Sequence, residues 1–156
     1  MPPLIAVKIT RHEDIGARHH NRITRAVLHV IAQEHLAFAI PKHFADNPST
    51  RPGGPYGYRK RSAKWNKIKQ RLYGHQLPNV ASGDARSSVL GSSRITATKD
   101  RSRLYLKPGH PIHAFQRDEL EALTPGELRS YINRANRLYA DEVKKVLRSP
   151  PRAETI

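Results

Sequence analysis

The chain begins with a short alternating pattern. Aliphatic residues occupy every second position at Ile5, Val7 and Ile9. This period of two predicts a β-strand with one buried face. Asp14 follows at a position suited to cap a helix, so we expect the next element to begin there.

A helical pattern extends from about residue 15 to residue 40. One apolar face has the spacing of an α-helix and comprises Ile23, Ala26, Val27, Val30 and Ile31. Leu28, Leu36 and Phe38 add apolar surface on other sides, which predicts several neighbours for this helix, among them another subunit. Pro41 is expected to end it.

The next segment is rich in proline and glycine. Residues 46–58, "DNPSTRPGGPYGY", predict a long flexible loop without a regular element. Ser62 is placed to cap a short helix that ends at Tyr73 before Gly74. On that helix Lys64, Lys67 and Arg71 face away from an apolar stripe formed by Trp65, Ile68 and Leu72.

A β-hairpin is the clearest strand signal. A turn at Ser82 and Gly83 leads into a predicted helical turn that ends near Gly91. Alternating residues then predict two strands, "RITAT" and "RLYLK", joined by a turn at residues 99–102. Residues 108–123 fit either a strand or a short helix.

The last predicted helix has the strongest signals of all. Thr124 is its expected N-cap, Pro125 its first residue and Glu127 the partner in a capping box, while Leu123 and Leu128 are placed for a hydrophobic staple. Pro150 and Pro151 are expected to stop it. Its broad apolar face comprises Leu128, Tyr131, Ile132, Ala135, Leu138, Tyr139, Val143 and Val146.

These elements predict one α+β domain over residues 1–148 and a flexible tail over 149–156. A small antiparallel sheet would pack against a long N-terminal and a long C-terminal helix. Residues 46–75 would form an extended basic loop and short helix within that domain.

Composition adds a strong positive charge. The chain has 156 residues, with 28 Lys plus Arg against 13 Asp plus Glu, for a formal net charge of +15. Such an excess predicts attraction to nucleic acid or to acidic protein surfaces. The sequence has no cysteine, no apolar run long enough to span a membrane and no signal-peptide pattern at its start.

No pattern indicates catalysis, a metal or a cofactor, so we expect a protein that is not an enzyme. His19 and His20 would point about 100° apart on a helix, and His110 and His113 have no acid at a zinc-like offset. Glu119 is interpreted, like Glu121, as a surface residue beside Arg117. The glycine-rich "RPGGPYG" lacks the lysine of a phosphate-binding loop.

Residues 51–75 carry eight Lys or Arg residues and no acid. The candidate contact residues for a partner or polyanion are Arg51, Tyr56, Tyr58, Arg59, Lys60, Arg61, Lys64, Lys67, Lys69 and Arg71. Three interpretations remain open. In the first, the cations meet phosphates while Tyr56, Tyr58, Trp65 or Tyr73 stacks on bases. In the second, they form a solvated face, and in the third, they reach an acidic patch on a neighbouring subunit.

The order of parts from about Tyr56 to Leu147 resembles the small neck proteins of tailed bacteriophages, namely head–tail connector, tail-terminator and tail-completion proteins. The resemblance is carried by "YGYRKRSAKWNKIKQRLYGHQLP", "ASGDARSSVLG", the strand pair and "RDELEALTPGELRSY" with the closing helix. "SGDARSSV" is similar to the family's small-Gly-x-x-Arg-x-x-aliphatic step before a hairpin.

This resemblance implies a structural virion protein, assembled in the cytoplasm of a bacterial host. Copies would form a ring at the head–tail junction or on the tail tube, and an extended loop would grip the next subunit. Other neck or tail proteins would be partners, genomic DNA would be a possible contact, and no membrane would be involved. A stand-alone basic nucleic-acid-binding protein is the alternative hypothesis.

Overall fold

The computed structural model describes residues 9–77, 83–99, 101–105 and 119–148. This part of the chain is mostly helical and includes a small two-stranded antiparallel sheet, so the coarse α+β class is confirmed. The principal elements are α1 (Ala17–Glu34), α2 (Ala63–Tyr73), α3 (Asp84–Ser92), β1 (Arg94–Ala97), β2 (Ser102–Tyr105) and α4 (Pro125–Arg148).

Helix α1 buries most of the face that its periodicity predicts. Ile23, Val27 and Ile31 are buried, whereas Ala26 is exposed and Val30 is only partly buried. Leu28 extends the buried surface to a second side. The prediction that Asp14 caps this helix is wrong, because Gly16 holds the N-cap position without any side-chain hydrogen bond.

Helical structure continues beyond the end of α1. It continues through a π-helical turn, His35–Ala39, and a 3-10 helix, Ile40–Phe44. Pro41 lies in the first turn of that 3-10 helix, where its missing N–H costs no hydrogen bond. The sequence predicts that the helix ends at Pro41. The structure shows instead a change of helix type near this residue, from a π-helical turn to a 3-10 helix.

Helix α4 begins with the predicted capping box. The Thr124 amide donates to Glu127 Oε2 at 3.0 Å, and the Glu127 amide donates to Thr124 Oγ1 at 3.1 Å. The helix then packs along α1, and its buried residues Tyr131, Ala135 and Val143 share one core cluster with those of α1.

Tyr139 fastens the start of α1 to α4. Its hydroxyl accepts a hydrogen bond from the His12 amide at 3.2 Å and lies 2.7 Å from His20 Nδ1. The ring itself is buried in the core between the two helices. The first turn of α1 is thus held by its partner helix.

The hairpin forms a second core with the 3-10 helix and α3. Its strands pair from Arg94 opposite Tyr105 to Ala97 opposite Ser102, so the turn has the predicted four residues but begins one residue earlier than predicted. Both strands contact α1. The buried residues of this cluster are Ile40, Phe44, Val89, Leu104 and Leu120.

Several sequence predictions fall wholly or partly outside the described residues. These are most of the strand through Ile5 and Val7, the start of the turn at Ser82, the end of the second hairpin strand at residues 106–107, the ambiguous segment up to residue 118, and the tail from residue 149 with its stop at Pro150. Among the helices of the described ranges, none is both long enough and apolar enough to cross a membrane.

Two leucines provide a matched test of the α1–α4 core. Leu28 on α1 is 2% exposed, whereas Leu147 near the end of α4 is 49% exposed. Leu28→Ala is expected to lower the free energy of unfolding by roughly 2–5 kcal/mol, because it removes buried methyl groups and leaves a cavity. Urea denaturation measures the loss.

Leu147→Ala is the control, with an expected loss below about 1 kcal/mol because its side chain is half in solvent. Leu138 belongs to the predicted apolar face of α4 but is only partly buried, so it would test the core less sharply than Leu28 does. Equal losses at Leu28 and Leu147 would show that the core is misassigned.

Candidate functional site

Residues 46–75, which we call the basic segment, begin with a loop that hydrogen bonds hold in a fixed conformation. Asn47 caps a 3-10 turn, Pro48–Thr50, by accepting from the Ser49 amide at 2.9 Å. The Thr50 hydroxyl donates to the Ala45 carbonyl at 2.8 Å. The prediction that residues 46–58 hold no regular element is therefore wrong, and the missed signal is Asn-Pro-Ser-Thr, a side-chain cap followed by proline.

Two tyrosines then anchor the chain to the body. The Tyr56 ring stacks on His43 with a centroid distance of 4.0 Å, and its hydroxyl donates to Glu127 Oε1 at 2.7 Å. The Tyr58 hydroxyl donates to the His43 carbonyl at 2.6 Å. Both tyrosines are buried. In this arrangement neither ring is open to stack on a base. Of the other two aromatic residues in the stacking interpretation, Trp65 is partly buried and Tyr73 is 40% exposed.

Glu127 receives contacts from three separate segments. Besides capping α4, its carboxylate accepts from Tyr56 and lies 3.4 Å from Lys42 Nζ. Burial alone would raise the pKa of Glu127, but hydrogen bonds from Thr124, Tyr56 and Lys42 outweigh it and lower that pKa. The carboxylate therefore stays charged and keeps its donors.

Glu119 is a second anchor. It is 5% exposed, accepts from the Arg59 amide at 3.0 Å and pairs with the Arg61 guanidinium. The interpretation of Glu119 as a surface residue beside Arg117 is wrong, because this carboxylate binds the basic segment instead. No local pattern identifies such a pairing, since its members are 58 residues apart.

The apolar stripe predicted on α2 is not buried. Trp65 and Ile68 are only partly buried, and Leu72 is 63% exposed.

Helix α2 does confirm the predicted cap and the predicted stop. The Ser62 hydroxyl accepts from the Trp65 amide at 3.1 Å, and Gly74 ends the helix with a φ of 70°. Lys69 is buried and donates to the Leu77 carbonyl. Burial lowers the pKa of Lys69, and the charge of Arg61 lowers it further.

The structure thus divides the ten candidate contact residues. Tyr56, Tyr58 and Lys69 are buried, Arg61 is paired with Glu119, and Arg51 lies 3.5 Å from the Asp46 carboxylate. The other five are exposed and form what we call the α2 basic face: Arg59, Lys60, Lys64, Lys67 and Arg71. Within the described part of the chain, no carboxylate lies within 4.0 Å of their charged nitrogens.

Two histidines in the helical stretch after α1 are buried. His35 Nδ1 is 3.1 Å from the Tyr131 hydroxyl, and its Nε2 is unpartnered among the described residues. His43 is fully buried, and neither of its ring nitrogens makes a hydrogen bond of ordinary geometry with the described chain. Burial lowers the pKa of His43, against the opposing effects of the Glu119 backbone and the Glu127 carboxylate.

The described ranges contain no group of three or more His, Asp or Glu residues placed to hold a metal ion. No protein-family model matches the sequence, and comparisons with curated proteins and with solved structures find no match either. The resemblance to phage neck proteins therefore stays a prediction, and the functional argument depends on the geometry described above.

His35 makes stability depend on pH. Burial, aided by the charge of His43, lowers the pKa of His35 from 6.5 to about 4. The unfolded chain takes up this proton near pH 6.5 and the folded chain only near pH 4, so stability falls as pH drops through this window. His35 accounts for a loss of up to roughly 3 kcal/mol.

The measurement is urea unfolding at several values between pH 7 and pH 4. His35→Gln is expected to remove part of the slope, because Gln does not titrate there and can still bond Tyr131. The remaining slope includes His43, whose pKa is also lowered by burial. His19→Gln on the exposed side of α1 should keep the wild-type slope. A slope unchanged in His35→Gln would contradict the assignment.

Proposed function

We propose that this protein is a non-enzymatic nucleic-acid-binding protein and that the α2 basic face contacts phosphates. The observation that carries the proposal is a group of five exposed cations, without a carboxylate within 4.0 Å in the described chain, on a segment fixed to the body. Lys and Arg that neutralise phosphates release counterions, which is the main source of affinity in such contacts.

The fixed position of the segment favours binding. The anchors at Tyr56, Tyr58 and Glu119 order the backbone on both sides of Arg59 before any partner arrives. A pre-ordered surface loses less conformational entropy on binding than a free arm. The net charge of +15 also steers polyanions towards the molecule.

An acidic protein partner is less well supported. Protein interfaces take most of their affinity from aromatic and arginine anchors that become fully desolvated. Here Tyr56 and Tyr58 are already buried within the chain itself. Phosphate contacts need only positioned cations, which the α2 basic face supplies.

A charge-removal variant tests the proposal. Replacing Lys60, Lys64, Lys67 and Arg71 with Gln should flatten the plot of log binding constant against log salt for duplex DNA. The slope should change by up to about 3–4, since each phosphate contact contributes about 0.9. Arg61 is left intact because its guanidinium pairs with Glu119.

The control replaces four exposed cations of α4, Arg129, Arg137, Lys144 and Arg148, with Gln. Both variants should keep the wild-type melting temperature within a few degrees, because exposed charges contribute little to stability. A wild-type slope near zero, or equal flattening in both variants, would refute a contact at the α2 basic face.

A second candidate is the ring-forming virion subunit that the resemblance suggests. The observation that favours it is exposed apolar surface on the described chain. Phe38 is 69% exposed, and Leu72 at the end of α2 is also exposed. Large exposed apolar side chains are typical of surfaces that another protein covers. Under this proposal the partners are further copies and other neck or tail proteins in the virion.

Sedimentation velocity tests that candidate. The wild type should form a closed oligomer at micromolar concentration, and Phe38→Gln should shift it towards monomer by removing buried apolar area. Ala37→Gln is the control, since Ala37 is exposed beside it and contributes little apolar area. A wild type that stays monomeric at all concentrations counts against the ring.

A further inference from the structure

A second row of cations lies on α1, on the side opposite its buried face. Arg18, Arg22 and Arg25 follow one another at spacings of four and three residues, and all three are exposed. At about 100° per residue they fall within an arc of about 60°, and they span about 10 Å along the helix axis. We call these three residues the α1 arginine stripe.

Among the described residues, the stripe has no carboxylate partner. From Ala17 to Gln33 the helix contains no acid, and its one carboxylate, Glu34, accepts from Arg134 at 3.1 Å. In the ranges the structure describes, no carboxylate lies within 4.0 Å of the three guanidinium groups.

Helix α4 provides a contrast within the same molecule. Its outer face mixes charges, with Asp141 one turn after Arg137, and Glu142 paired with Lys145. Spaced opposite charges of this kind are typical of a solvated helix surface. The α1 arginine stripe lacks them.

Helix stability does not explain the stripe either. Arg18 is in the first turn of α1, where the positive end of the helix dipole disfavours a cation. That turn also contains no acid and has no side-chain cap. The arrangement costs the helix a little stability, and a bound polyanion would offset that cost.

We propose that the α1 arginine stripe is a second contact surface for the phosphate backbone of a nucleic-acid duplex. Guanidinium groups bind phosphate oxygens in a bidentate manner, which suits three arginines on a rigid helix. Proteins that prefer single strands add aromatic platforms for the bases. The stripe contains no aromatic residue, so the duplex is the better match for this surface.

This inference rests on the proposed function but concerns another face, so the two can be tested separately. Replacing Arg18, Arg22 and Arg25 with Gln removes three charges from the stripe. Replacing Arg137, Lys144 and Arg148 with Gln removes three from α4 as the matched control. Each protein is titrated with salt against a 20-base-pair duplex and against a single strand of the same length.

The stripe variant should flatten the duplex slope by about 2–3, at about 0.9 per lost phosphate contact, and the control should change it by less than about 1. The melting temperature of the stripe variant should equal or exceed that of the wild type, because a cation leaves the positive end of α1. When the melting temperature is preserved, a loss of affinity reflects lost contacts with the nucleic acid and not unfolding.

Three results would overturn the inference in distinguishable ways. If the stripe variant shows the same small change in slope as the α4 control, the α1 arginine stripe does not contact the duplex. The proposed function still stands in that case if the α2 variant flattens the slope. Tighter binding to the single strand removes the duplex assignment. A wild-type slope near zero for both probes removes the proposed function and the stripe together.

Discussion

The carboxylate of Glu127 joins the parts of this fold that lie far apart in sequence. It completes the capping box of α4, accepts the Tyr56 hydroxyl from the basic segment and lies beside Lys42 of the 3-10 helix. A charged, partly buried carboxylate needs several donors, and here three segments provide them. The start of α4, the end of the first helical stretch and the loop before α2 are held at one point.

Anchoring by Glu127 and Glu119 also determines which charges of the basic segment remain exposed. Glu119 and Glu127 fix the backbone and a few polar groups of the basic segment while leaving most of its cations in solvent. Neutralising every cation within the chain would have needed more acids than the sequence contains. The molecule therefore presents positive charge on α1, on α2 and on the residues just before α2. The polyanion contacts proposed above depend on this exposed charge.

Local signals account for what the sequence predicts correctly. The capping box at Thr124, the cap at Ser62, the stop at Gly74 and the hairpin each depend on a few neighbouring residues. Such short-range hydrogen bonds and backbone preferences operate before the chain has folded, so a pattern suffices to find them.

The candidate site required tertiary information. The burial of Tyr56 on His43 and the pairing of Arg61 with Glu119 join positions that no periodicity relates. Proline and glycine indicated an irregular backbone, which holds after the 3-10 turn at Pro48–Thr50 but not within it. An irregular backbone can also be rigid when its polar groups have partners. The charge of the segment was visible in the sequence, whereas which charges remain exposed depended on those long-range contacts.

The π-helical turn at His35–Ala39 has a geometric consequence for the two cores. Such a turn accommodates one residue more than an α-helical turn, so every later side chain is rotated by about a quarter of a revolution. Before the turn, Val27 and Ile31 belong to the cluster shared with α4, and after it, Ile40 and Phe44 belong to the cluster beneath the hairpin. One added residue thus redirects a continuous helical stretch from one hydrophobic neighbour to another, and Phe38 at the point of rotation is left facing outward.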